Sequence, residues 1–162
     1  MKRADVDQLR TQIQEPMRWF VREARVRTTL LVNRSGQVLA QHGFTSSYDV
    51  ANVAALAAAT HSSAHALAEL TGSGRWMHLH HAGHRRQLFL APFDTPAEQL
   101  ILVAIFDDES TLGLVQLFFD RFSAMVAEIP ALQATLDRSD ADSFEADLEA
   151  GIERLLSEPP EG

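Results

Sequence analysis

The chain has 162 residues, 46% hydrophobic and 22% charged, with a formal net charge of −8 at pH 7. That length and balance describe one globular domain and exclude a disordered chain. There is no cysteine, which removes disulfide frameworks, thiolate zinc sites and cysteine nucleophiles together.

Charge is divided along the chain. Residues 1–36 carry eight basic and four acidic side chains, whereas residues 137–162 carry nine acidic and two basic ones. The arginines of the first segment are the only basic cluster and read as a solvated helix face, so nucleic acid is not an expected partner. Thirteen arginines and Lys2 make up the basic set. A G-x-x-x-x-G-K-[ST] phosphate loop is therefore absent, and the chain is not itself a P-loop GTPase or ATPase. No apolar run is longer than that of Leu100 to Phe106, which falls far short of the roughly 20 residues that span a bilayer as a helix. The charged opening segment lacks a signal-peptide pattern, and the expectation is a cytoplasmic protein with no membrane span.

In chain order, Val6, Leu9, Ile13, Met17, Phe20 and Val21 set the stripe of an amphipathic helix over residues 4–24. Pro16 predicts a kink in it or a fresh helix start. Val26 to Val32, the turn Asn33-Arg34-Ser35-Gly36 and Gln37 to Gln41 read as a β-hairpin. A long helix follows from Ser46 to Thr71, with Ser46, Ser47 and Asp49 as cap candidates and Gly72 as its stop. Alanines stand on nearly every face of it, so other backbones can approach closely. One side would meet its own sheet, and the other a second copy across a two-fold axis.

Strands are predicted at Arg75 to His81, Arg85 to Ala91 and Gln99 to Asp107, and a helix at Leu112 to Ile129, ended by Pro130. Leu132 to Asp140 reads as a linker. Residues 140–157 then place Phe144, Leu148, Ile152 and Leu155 along a narrow stripe of an acidic helix. The order predicts an α+β domain over 1–130, a five-stranded, mainly antiparallel sheet with helices on both faces, followed by a linker and acidic C-terminal helix over 131–162.

No convincing active site emerges. His78, His80 and His84 would share one exposed hairpin face, alternating with Met77 and Leu79 inside, but no carboxylate joins them. His61 and His65 have the spacing of H-E-x-x-H without its glutamate and read as polar interface residues. Asp107, Asp108 and Glu109 precede a helix and read as capping groups at its positive end. No serine sits in a nucleophile elbow. No convergent polar cluster is visible among the apolar strands. The reading is a protein without catalytic residues, metal or cofactor of its own, and with two surfaces suited to protein partners.

The hairpin Leu30-Leu-Val-Asn-Arg-Ser-Gly-Gln-Val-Leu-Ala40, the helix ending Leu67-Ala-Glu-Leu-Thr-Gly72, the strand Leu100 to Phe106 and Leu112-Gly113 before the last core helix agree in order and spacing with the roadblock family of small-GTPase regulators. The chain resembles that family over most of residues 5–129. Its length and acidic terminal segment are most similar to the bacterial MglB-type branch. The resemblance implies a roadblock-like (profilin-like) fold and a homodimer whose long helices lie side by side, with strands Arg75 to His81 meeting in one sheet. Ala54, Ala58, Arg75, Met77 and Leu79 are then the expected dimer contacts. It further implies a Ras-like GTPase in its GTP form as partner, two copies of this chain per GTPase, and accelerated hydrolysis without an inserted arginine, in cell polarity or gliding motility.

On that basis Ala57, Thr60, His61, Ala64 and His65 are expected to receive the GTPase, and Phe144, Leu148, Ile152 and Leu155 to make a second contact. Two alternatives stand beside this: a non-activating scaffold of the same fold, and a small-molecule sensor domain, since fold alone does not decide function.

Overall fold

The computed structural model describes residues 3–133 together with 149, 150 and 152. Five strands, β1 (Thr28–Asn33), β2 (Val38–Gly43), β3 (Leu79–Ala82), β4 (Gln87–Asp94) and β5 (Gln99–Phe106), form one sheet in the order β2-β1-β5-β4-β3. Every pairing between neighbours is antiparallel. The helices are α1 (Arg3–Glu23), α2 (Val50–Thr71), α3 (Leu112–Ala127) and the short α4 (Pro130–Gln133).

Strand β5 lies at the centre, and alternation decides what each of its residues touches. Leu100, Leu102, Ala104 and Phe106 join Leu9, Ile13, Met17, Phe20, Phe122 and Val126 in the larger core beneath α1 and α3. Ile101 and Val103 point the other way, to Leu30, Val32, Leu90, Ala54 and Ala57 beneath α2. Two covered faces explain why this strand is an unbroken apolar run rather than an alternating one.

Helix α1 runs unbroken through Pro16. A proline inside a helix costs about 3 kcal/mol. The residues on both sides of it, Leu9, Ile13, Met17 and Phe20, are fully buried in the same core, and each buried side chain of that size contributes about 1.5–3 kcal/mol. Packing therefore overrides the local break.

Several boundaries differ from expectation for physical reasons. Asp49, rather than either serine, caps α2 by accepting from the Asn52 N–H, and Gly72 ends the helix in the left-handed region at φ 62°. Strand β4 continues past Ala91 to Asp94 through Pro92, because β3 pairs only with Gln87 to Leu90. The missing proline N–H costs no ladder bond beyond that point. Arg75, Trp76, Met77 and His78 precede β3 instead of forming its first half. Leu132, expected to open a linker, is 1% exposed and belongs to the larger core, so the folded unit includes α4. Most of the helix expected over 140–157, with Phe144, Leu148 and Leu155, lies outside the described residues; Ile152 is 49% exposed.

Candidate interaction surface

Among the described residues, helix α2 alone covers its side of the sheet. Ala54, Ala57, Ala58, His61 and Ala68 are its buried positions, and small side chains there let the helix lie close to the strands. The opposite face is apolar and open: Leu56 is 67%, Leu67 62% and Leu70 86% exposed. Positions 56, 63, 67 and 70 fall on one stripe at helical spacing, with Ser63 between the leucines.

This placement corrects part of the expected contact set. Ala54 and Ala57 pack into their own sheet, and Ala58 and His61 are also buried, so none of these four presents a side chain to a partner in this chain. Thr60 and Ala64 are half-buried on the flank of the open stripe, and His65 is exposed. Sequence reasoning misses the three leucines. Their period is present in the sequence, but a helix apolar on every side does not reveal which side the sheet takes.

At the sheet edge, Met77 is 78% exposed rather than inward, and Leu79 is half-buried against the α2-side core. Arg75 is exposed and ion-pairs with Asp94. His78 and His80 do share a face, but it is the α1/α3 face. His78 stacks on Phe89 with ring centroids 5.5 Å apart, and His80 on Phe106 at 6.1 Å. His80 Nε2 is 2.7 Å from Gln87 Oε1, and the His78 ring is 2.9 Å from Gln116 Nε2. Among the described residues no group of three or more His, Asp or Glu side chains converges to hold a metal ion.

The acidic run before α3 does not cap it. Thr111 does, accepting from the Leu114 N–H at 3.2 Å. Asp107 instead accepts from the Glu109 backbone N–H at 3.1 Å and pairs with Arg27. Both contacts favour the carboxylate and hold Asp107 below its ordinary pKa.

One polar cavity was not anticipated. It lies between the C-terminal half of α2 and the sheet, with a volume of about 280 Å³, and Arg34, His61, His65, Arg75, Trp76 and Gln99 line it. Inside, the His61 and Trp76 rings pack with centroids 5.4 Å apart. His61 Nδ1 and Trp76 Nε1 are buried without a hydrogen-bond partner among the described residues. Burial, then the neighbouring Arg34 charge, lowers the His61 pKa. The lining residues come from positions far apart in the chain, so spacing along the sequence carried no signal of the cavity.

The Roadblock/LC7 domain family matches residues 15–106, and the chain belongs to that family. Among solved structures it is similar to Myxococcus xanthus MglB, with 27% identity and a TM-score of 0.67 over 74% of this chain and 87% of that one. It is likewise similar to the gliding protein MglB from Thermus thermophilus, with 31% identity and a TM-score of 0.65 over 75% and 90%. A third, an MglB with a tetrameric arrangement, shares 30% identity at a TM-score of 0.65 over 75% and 89%. A search of curated protein sequences finds no match. No helix among the described residues is long and apolar enough to cross a membrane.

Proposed function

We propose that this chain regulates a Ras-like small GTPase, as a homodimer that accelerates GTP hydrolysis while contributing no active site of its own. The observation that carries the reading is the open apolar face of α2, where Leu56, Leu67 and Leu70 stand exposed on a rigid helix. Exposed leucines aligned on one helix face mark a protein contact. Family membership and likeness to MglB structures, one of them tetrameric, support a second copy of the chain as occupant of that face.

In this reading two α2 helices pack along Leu56, Ser63, Leu67 and Leu70. Thr60 and Ala64 flank the seam and meet the GTPase, with His65 on the other side of the helix at the cavity. Residues 144–155 supply the second contact through Phe144, Leu148, Ile152 and Leu155. The setting is cytoplasmic, in cell polarity or gliding motility. An activator of this kind binds the hydrolysis-competent switch conformation more tightly than the resting one, and its effect is limited by that difference.

Single-turnover GTP hydrolysis by a Ras-like GTPase from the same organism, with and without a twofold excess of this chain, tests the proposal. The expected result is acceleration of at least tenfold, a barrier reduction of about 1.4 kcal/mol. Co-elution with the GTP-loaded form without acceleration would replace activation by scaffolding. Neither binding nor acceleration would overturn GTPase regulation altogether.

A further inference from the structure

We propose that the cavity between α2 and the sheet binds a small oxyanion, a phosphate or carboxylate group of a small molecule, with Arg34, Arg75, His61 and Trp76 as its recognition groups. This stands on the cavity and is independent of GTPase regulation.

The donor set points to the ligand's charge. Trp76 Nε1 can only donate a hydrogen bond, and it is buried without an acceptor. His61 is 96% buried, being 4% exposed, and its Nδ1 is also without a partner. The unanswered Trp76 N–H calls for an acceptor, and so does His61 Nδ1 in the tautomer that carries its proton there. Water would answer the hydrogen bonds but not the charge. Two guanidiniums, Arg34 and Arg75, border the same space, and among the described residues no carboxylate lines it.

Charges just outside the cavity offset part of that excess and leave Arg34 as its uncompensated cation. Asp94 pairs with Arg75 and also accepts from Gln99 Nε2 at 3.0 Å. Glu69 lies 3.5 Å from His65 Nε2. Arg34 has no hydrogen bond or ion pair of its own among the described residues. It sits in the β1–β2 turn, where an exposed side chain is free to close over a ligand. Burial and then the Arg34 charge hold the His61 imidazole below its ordinary pKa, which an anion beside it would reverse.

Size narrows the class. About 280 Å³ equals the liquid volume of roughly nine water molecules. That space takes inorganic phosphate, a short dicarboxylate or a small phosphorylated compound. Bidentate pairing of planar guanidinium with carboxylate or phosphate is the chemistry arginine serves best.

The test uses the full chain carrying Trp19→Phe, which leaves Trp76 as the only tryptophan of the two present. Inorganic phosphate and, separately, succinate are titrated against chloride at matched ionic strength while Trp76 emission and the thermal midpoint are followed. The expected result is a saturable emission change with at least one of the two. The midpoint should rise by about 3 °C or more at tenfold over its Kd. Arg34→Gln, at an exposed turn position, should fold normally and weaken binding at least tenfold. Response to phosphate alone or to succinate alone assigns the ligand's anionic group. No saturable response to either anion, or an unchanged response in Arg34→Gln, overturns the proposal.

Discussion

Arg27 and Asp107, 80 residues apart in the chain, form an ion pair where β1 begins and β5 ends. The Arg27 backbone N–H also donates to Ile105 O at 2.8 Å, so side chain and main chain together tie the two strands at the sheet's centre. An ordinary aspartate titrates near pH 3.9. Asp107 is held below this by the Glu109 N–H and by Arg27, so its stabilisation is complete above the unfolded value. It is lost as the pH falls through the lower, folded one. Asp107→Asn should therefore lower the thermal midpoint at pH 7, and the gap to the unsubstituted chain should narrow below pH 4. Melting curves at pH 7 and at low pH check this; a gap independent of pH would refute it.

His61 predicts a second pH dependence in a different window. Its folded pKa is lowered, first by burial and then by Arg34 and His65, while the unfolded chain takes up that proton near pH 6.5. Stability is full above that pH and falls as the pH drops through the folded value. Arg34, His65 and Arg75 face it with positive charge and Gln99 favours its charged form. Between pH 7.5 and pH 5.5 the chain should lose more stability than His61→Gln does. Parallel slopes for the two proteins would remove His61 as the cause.

Gly43 and Gly113 make a matched pair for alanine substitution. Gly43 has φ +96°, and a Cβ there would lie 2.2 Å from the Arg27 carbonyl oxygen. Gly113 stands in α3, and a Cβ there meets nothing within 4 Å. Gly43→Ala should cost about 2 kcal/mol or more, from strain and backbone displacement together. Gly113→Ala should be neutral or stabilise by up to about 1 kcal/mol through helix propensity. Urea unfolding of both variants decides the matter.

Leu132 tests where the folded unit stops. It is 1% exposed against the larger core, so Leu132→Ala should destabilise by about 2–4 kcal/mol, as for other buried leucines. A linker residue at that position would lose less than about 0.5 kcal/mol.

On α2, Leu67→Arg places a charge in the centre of the exposed stripe without touching the core, since Leu67 is 62% exposed. Secondary structure and thermal midpoint of the monomer should survive. Mass by light scattering should fall from dimer to monomer. An unchanged dimer would move the self-contact to another face.

Much of the architecture was legible in the residues. The stripe of α1, the β1–β2 hairpin, the central strand Leu100 to Phe106 and the α3 stripe all follow from local periodicity. The family is legible as a resemblance, because the segments that are similar to it are short and stand in a set order. Periodicity could not orient α2, whose alanines and leucines make every face apolar. Orientation waits for the sheet against which Ala54 and Ala57 pack, which leaves Leu56, Leu67 and Leu70 outside.

Strand identities and helix stripes are local properties, carried by side chains two to four residues apart, and the sequence by itself determined them. Which strand became central was decided only when β5 inserted between β1 and β4, out of chain order. The passage of α1 through Pro16 was decided by core packing on both sides of the proline. The cavity of Arg34, His61, Arg75, Trp76 and Gln99 depends on the same closure. Its residues meet only because antiparallel pairing brings the β1–β2 turn, the start of β5 and the end of α2 to one end of the sheet, a convergence of long-range contacts that no local pattern encodes.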